Sequence, residues 1–268
     1  VVTNYYNSGA KCSYVGDANT PVSYDLPRIK TTAPYTAYLK IAEGCSNHCT
    51  YCVIPKIRGK YRSRDKESII TEANLLASKG VKEIVIIAQD TSCYGKDLTP
   101  QSSLTEIIKD ISAIDGIEWV RVHYLYPEGV TDDLIEEFAT NDKLVKYFDI
   151  PLQHISDNQL SLMHRRHTKA EAIELLNRLR AAIPNIAIRT TMLVGYPNES
   201  AEDFEELCEF LRDLRLERVG AFAFSPEEGT PAAEMEFVDN EIAVQNLTRF
   251  AEHKGFGVSA EKKGDKEY

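Results

Sequence analysis

Glu43-Gly44-Cys45-Ser46-Asn47-His48-Cys49-Thr50-Tyr51-Cys52 is the stretch from which the rest of the chain can be read. Its three cysteines have C-x3-C-x2-C spacing and follow an apolar, strand-like run, Tyr38-Leu39-Lys40-Ile41-Ala42. Thiolates are the ligands that iron–sulfur clusters use. Three of them on one tight loop can hold three irons of a [4Fe–4S] cube and leave the fourth iron without a protein ligand. An open coordination position is where a metal site binds a substrate or cofactor. Two plainer readings stand beside it: a structural zinc site that adds His48 to the cysteines, and three buried free thiols. Zinc motifs generally pair C-x2-C with a second, distant pair, and this sequence has no such pair.

Composition narrows the setting. The 268 residues suffice for one barrel-sized domain or two small ones, and 43% hydrophobic with 27% charged residues is ordinary for a globular chain. No apolar run approaches the ~20 residues that a bilayer span needs, and the N-terminus lacks the basic-then-apolar pattern of a signal peptide. Beyond the trio, Cys12, Cys93 and Cys208 are scattered, which is no disulfide framework and points to a reducing cytoplasm. Val1 in place of a methionine suggests a piece of a longer protein or a processed chain. The net charge of −10 counts against a nucleic-acid partner, because phosphate binding needs clustered Lys and Arg. It suits a basic protein or peptide better.

Residues 1–34 carry turn-formers such as Asn7-Ser8-Gly9, Pro21 and Pro34 without a sustained period, and read as an irregular lead-in. Cys12, inside it, is either a plain thiol or a ligand of some second cluster. From residue 38 the pattern alternates. Strand-like runs fall at 38–42, 83–88, 119–124, 147–152, 187–194 and 218–224, with helix-like stretches at 66–79, 104–113, 132–140, 169–182 and 201–214. Asp65, Thr131 and Ser200 stand as helix caps, and Gly80 follows the first helix. Strand–helix alternation implies parallel strands under covering helices. Six units fall short of the eight that close a full barrel, so the sequence predicts an α/β fold: a partial, open (βα)6 TIM-like barrel.

In such folds chemistry sits at the C-terminal ends of the strands, and polar residues gather there in every unit. The strand ends read Gln89-Asp90-Thr91-Ser92-Cys93-Tyr94-Gly95, His123-Tyr124, Gln153-His154, Gly195-Tyr196 and Ser225-Pro226-Glu227-Glu228-Gly229. Gln89 and Asp90 are ligand candidates or turn caps. Gln153 and His154 are ligand candidates or satisfied core polars. Gly195 permits close backbone approach. Arg189 lies inside an apolar strand and needs a carboxylate partner if buried. Met163-His164-Arg165-Arg166-His167 reads as a solvated basic helix face that could hold a polar ligand. Arg58-Gly59-Lys60-Tyr61-Arg62-Ser63-Arg64 reads as a solvated turn or a grip on an anionic substrate or partner domain.

Taken together, the cysteine loop, Ala88-Gln89-Asp90-Thr91-Ser92-Cys93-Tyr94-Gly95 and Ser225-Pro226-Glu227-Glu228-Gly229-Thr230-Pro231 resemble the methylthiotransferase branch of the radical S-adenosylmethionine (SAM) enzymes, from about Tyr35 to Met235. The last two stretches resemble the ribosomal-protein aspartate methylthiotransferases. The transfer-RNA enzymes typically carry a Gln-Asn-Val-Asn-like run and an Arg-Pro at those places. The alternatives are a transfer-RNA adenosine methylthiotransferase core and a non-catalytic zinc-binding scaffold.

The resemblance implies a [4Fe–4S] cluster held by Cys45, Cys49 and Cys52, with SAM on its open iron and Tyr51 near the adenine. It makes Gln89, Asp90, Gln153, Arg189 and Gly195 candidates for binding SAM. It implies a 5'-deoxyadenosyl radical that takes hydrogen from the β-carbon of an aspartate in a basic small-subunit ribosomal protein. The methylthio group then comes from a second, auxiliary [4Fe–4S] cluster expected only in the full-length protein. An electron donor such as flavodoxin or ferredoxin is implied. No side chain is needed as a general base, because the cofactor's radical abstracts the hydrogen. Against this pattern, 1–34 is expected to be a remnant of an N-terminal methylthiotransferase domain and 35–236 the radical SAM barrel. Residues 237–268 are expected to form a terminal helix and charged tail in place of a TRAM domain.

Overall fold

The strand β7 (Ala187–Val194) buries Ile188, Thr190, Met192 and Val194 and leaves the residues between them partly open. Successive side chains on a strand point to opposite faces, so one face is covered and the other is not. The covered sets of the other strands, including Leu39, Ile84, Ile86, Val120 and Phe148, join the same hydrophobic core as Ile188, Met192 and Val194. The opposite face shows Tyr38, Trp119 and Phe222 to solvent. All the helices that enter the core therefore cover one face of the sheet. A computed structural model describes residues 7–9, 16–20, 24, 29–235 and 248 of the chain. Cys12 and the helix and tail expected over 237–268, apart from residue 248, lie outside the described residues, as does much of the 1–34 lead-in.

The strands β1 (Thr36–Lys40), β4 (Glu83–Ile87) and β5 (Trp119–Val122) pair in parallel, in that order. A second parallel set runs β6 (Tyr147–Asp149), β7 and β8 (Arg218–Ala223). Between the sets, Val120 bridges Leu144, and Leu125 N–H donates to the Asp149 carbonyl at 2.9 Å. Six parallel strands thus follow one another in chain order, and among the described residues the first and the last are not paired. The α/β open barrel expected from the alternation is what the chain forms. Leu39 stands in register with Ile86, and Ile86 with Val122.

Helices α2 (Lys66–Ser78), α3 (Leu104–Ser112), α4 (Asp132–Thr140), α6 (Lys169–Ala182) and α7 (Ala201–Leu214) match the stretches read from 3.6-residue spacing. Asp65, Thr131 and Ser200 accept the N–H groups of Ser68, Leu134 and Asp203 as caps. Their apolar stripes meet the sheet with rings as close as 4.7 Å between Phe138 and Phe148. Truncating such a buried phenylalanine to alanine costs about 3–5 kcal/mol. Cys208 lies in this core on α7.

Three short elements were not anticipated: a two-residue antiparallel ribbon of β2 (Ala42–Glu43) with β3 (Arg62–Ser63), and the helices α1 (Ile54–Arg58) and α5 (Asp157–Leu162). The strand read over 147–152 stops at Asp149, shortly before Pro151, which has no N–H to donate. Met163–His167 is not a helical, solvated face. It follows α5 as a turn in which Met163, Arg165 and His167 are buried and His164 and Arg166 exposed. The basic loop also turns inward. Arg64 is buried, paired with Glu72 and stacked 4.2 Å over the Tyr24 ring, and Arg62 donates to the carbonyls of Lys60 and Ala18.

Candidate functional site

The cysteine loop leaves β2 through Gly44, whose φ of +75° is open to glycine at little cost. A side chain there would meet backbone, its Cβ lying 2.6 Å from the Gly59 carbonyl oxygen and closer still to that of Lys60. Cys45 N–H donates to that Gly59 carbonyl at 3.2 Å, and Cys52 N–H to Cys49 O at 3.0 Å, which closes a tight turn. Cys45 and Cys49 are buried and Cys52 half-buried. Burial pushes the Cys45 thiol up to about 11 and raises that of Cys52. Metal binding at such thiols therefore displaces protons.

Cys45 and Cys52 line a cavity of about 310 Å³ together with Lys40, Gln89, Tyr124 and Tyr126. That volume lies at the lower end of small-molecule sites. Gln89 Oε1 is buried there with no hydrogen-bond partner. Buried polar atoms are nearly always satisfied, so an orphan acceptor on a residue that lines a cysteine-lined cavity fits a polar ligand that supplies the donor. Among the described residues no three His, Cys, Asp or Glu side chains could hold a single metal ion. A zinc ion needs its ligands about 2.0–2.3 Å from one point, and the zinc reading finds no such point. An iron–sulfur cube brings its own volume and spans more widely placed thiolates. Cys45 and Cys52 on this cavity, with Cys49 on the small pocket that shares Tyr126 with it, are the donor set that group takes.

The other residues singled out have distinct places. Asp90 is buried with its oxygens taken by Asn47 Nδ2 at 2.8 Å, Ser92 Oγ at 2.6 Å and Cys93 Sγ at 3.1 Å. It therefore ties the cysteine loop to the end of β4. Tyr51 packs edge-on to Tyr196, ring centroids 6.4 Å apart, beside a small cluster of Met163, Tyr196, Phe224 and Ala232. Gln153 has a φ of +72° and holds β7 through its backbone, accepting from Leu193 N at 2.7 Å. Its side chain makes no hydrogen bond to a described residue. His154 is buried: Ser156 N–H donates to Nδ1 at 3.0 Å, so Nε2 carries the hydrogen toward Glu199 at 3.0 Å. Glu199 in turn accepts Gly195 N–H at 2.6 Å. Arg189, near the start of β7, pairs with buried Asp149 at 2.7 Å on the uncovered face. It is not among the residues lining the cysteine cavity.

Backbone strain marks the same end of the barrel. Of seven non-glycine residues with positive φ among the described residues, His48, Tyr124, Gln153, His164 and Asn198 lie beyond strand C-termini or in the turn after α5. Such conformations persist where surroundings over-determine them and concentrate at functional sites. The gap between β1 and β8 is bridged at this mouth: Ala232 N–H donates to the Thr50 carbonyl at 3.0 Å, and Thr50 Oγ1 meets the Tyr196 hydroxyl at 2.7 Å. Glu227 and Glu228 are exposed in the loop that follows β8.

The sequence shows Arg165 only as part of a basic run. The left-handed His164 (φ +54°) lets Arg165 N–H return to Leu160 O at 2.8 Å, a helix-terminating turn that aims the guanidinium inward. Nη1 donates to Cys49 Sγ at 3.8 Å and Nη2 to Pro151 O at 2.7 Å. No signal in the sequence marks Arg165, because the period-two burial of 163–167 shows only in the structure. Nearby, buried His167 faces Glu128 at 3.7 Å. Burial alone would raise the Glu128 carboxyl, yet His167, backbone N–H and Arg165 bring it down to about 2.

Fold and site together define a class: an open parallel α/β barrel presenting three cysteines of one loop at its C-terminal mouth. A profile of the radical SAM superfamily matches residues 39–211, and the chain belongs to that superfamily. It is 56% identical over 209 residues to the ribosomal protein uS12 methylthiotransferase RimO of Clostridium botulinum (strain Eklund 17B / Type B), covering 78% of this chain and 47% of that one. The protein of the same name from Geotalea uraniireducens (strain Rf4) is 51% identical over 222 residues, covering 83% and 50%. The chain spans about half the length of the curated relatives it matches. Among solved structures, the radical S-adenosylmethionine methyltransferase TsrM from Kitasatospora setae, with cobalamin and a [4Fe–4S] cluster bound, aligns with a TM-score of 0.61. It is 16% identical, covering 74% of this chain and 38% of that one. Coproporphyrinogen III oxidase HemN from Escherichia coli aligns with a TM-score of 0.57 at 12% identity, covering 82% and 53%. At these identities the likeness is one of fold.

Proposed function

We propose that this chain is the cluster- and SAM-binding core of a methylthiotransferase that modifies an aspartate of ribosomal protein uS12. The observation that carries the reading is the cavity shared by Cys45, Cys52 and the unpartnered Gln89 oxygen at the mouth of a radical SAM barrel. The names and identities of the relatives support the choice of substrate. The exposed Glu227 and Glu228 suit a basic protein and repel nucleic-acid phosphates.

Cys45, Cys49 and Cys52 would hold a [4Fe–4S] cluster. Bound there with SAM, it would supply one electron and the radical chemistry that removes hydrogen from an unactivated carbon. The chain's own residues bind and orient. Gln89 and Gln153 offer amide groups to the polar parts of SAM, and Tyr51 an aromatic wall for its adenine. Gly195 offers close backbone approach. Asp90 holds Asn47 and thereby the shape of the cysteine loop, while Arg189, locked to Asp149, lies deeper on the uncovered face, where a substrate side chain would reach. The methylthio group would come from an auxiliary cluster held elsewhere in the full-length protein, the electron from a cytoplasmic flavodoxin- or ferredoxin-like donor.

Anaerobic iron and sulfide analysis with EPR of the reduced chain, before and after adding SAM, tests this. About four irons per chain and a spectrum that changes with SAM are expected. Zinc in place of iron, with no response to SAM, would sink it.

A further inference from the structure

Arg165 is a buried charge that forms no ion pair with a described residue, the Glu128 carboxylate acting on it only from beyond ion-pair distance. Its guanidinium is buried, stacked 4.3 Å from the centroid of the Tyr126 ring, and its Nε–H has no acceptor. Among the described residues no carboxylate forms an ion pair with it, and Glu128, in the same small pocket, faces His167. A guanidinium does not shed its proton. Burying a cation with one carbonyl, one sulfur and a carboxylate beyond ion-pair distance for company is costly unless an anion joins it at contact. Three thiolates around an iron–sulfur cube would supply that anion, since such a centre carries net negative charge and gains one more on reduction.

We propose that Arg165 is the counter-ion of the cluster. Its Nη1–H donates to the Cys49 sulfur, and its charge raises the potential at which the cluster accepts an electron. The proposal rests on the cluster reading above. In the reduction itself one electron enters from the reductant, and no bond to Arg165 forms or breaks. Hydrogen bonds to cluster sulfurs and nearby charge are recognised settings of reduction potential. Arg165 is thus a positioning and tuning residue.

The test is an EPR-monitored redox titration, with dithionite as reductant and no SAM, of the anaerobically reconstituted chain and its Arg165→Gln and Arg165→Lys variants. The Gln variant should titrate at a more negative potential than the native chain, with Lys between them. A cluster-loaded Gln variant with the native potential would overturn the proposal. So would weakened SAM binding at unchanged potential, which would make Arg165 a SAM ligand instead. Should neither variant hold iron, the native chain labelled with guanidino-15N arginine decides by pulsed EPR. A 15N coupling to the reduced cluster supports the contact, and its absence refutes it. A native chain without iron would instead defeat the cluster reading itself.

Discussion

Gln89 holds its side-chain oxygen inside the protein with nothing to accept from. An unmet buried acceptor costs roughly 1–3 kcal/mol, and replacing it by an apolar group of similar shape can be neutral or stabilising. If the oxygen is kept for a ligand, stability and binding must move in opposite directions. Gln89→Met should leave the melting temperature of the apo chain unchanged or raise it. It should weaken SAM binding about tenfold, the equivalent of one hydrogen bond at ~1.4 kcal/mol. Calorimetric titration on the cluster-loaded chain, paired with thermal unfolding of the apo chain, reads both. A variant that loses stability and binds SAM as before would make Gln89 a packing residue. At this scale the sequence disclosed the cysteines, because their spacing is itself the ligand geometry, and it disclosed Gln89, because a polar residue directly after an apolar strand is out of place. It hid Arg165. A run of Met-His-Arg-Arg-His has the composition of a solvated face, and only the turn at His164 sends one arginine inward.

The elements that were legible are the long ones. Helices of nine to fourteen residues such as α3 and α7 repeat their apolar period often enough to be seen, and their caps fix the starts. The two-residue strands β2 and β3 and the six-residue α5 lie below the length at which any period shows. Yet these short pieces build the site: the β2–β3 ribbon carries the cysteine loop, and the turn after α5 carries Arg165. Gly44 is the joint of the ribbon. Gly44→Ala would place a methyl group against two backbone carbonyls at a φ of +75°. Backbone cannot swing aside as a side chain does, so the expected loss is about 2–4 kcal/mol, above the ~1 kcal/mol of an unhindered glycine replacement. The same displacement would break the Cys45 to Gly59 hydrogen bond, so iron retention after desalting should fall with stability. Urea unfolding and iron analysis of one preparation check both. Retained iron at native stability would mean that the ribbon yields without cost.

Over the whole molecule, charge is placed against the grain of a barrel interior. Glu83 pairs with Arg121 at 2.9 Å, and Asp149 with Arg189 at 2.7 Å and with His123 at 3.4 Å, all on the uncovered face. Although burial alone would raise it, the Asp149 carboxyl is held below its ordinary range by His123 and Arg189. Glu128 at the mouth lies at about 2 for a like reason. Both carboxyls bind protons less readily folded than unfolded. Their contribution is therefore complete above the ordinary carboxylate range of about 4 and is lost as pH falls through the folded values. For Glu128 the window runs from about 4.3 down to about 2. Its side chain is 31% exposed, so solvent screens part of the interaction, leaving on the order of 2 kcal/mol. Glu128→Gln should be less stable than the native chain by that amount near pH 6, and the gap should narrow below about pH 4 and close as pH approaches about 2. Urea unfolding across that range measures the gap. A gap that stays constant with pH would place the cost in packing against His167 and not in its charge. Asp149→Asn should lose more near pH 6, because it strands Arg189 beside a neutral amide.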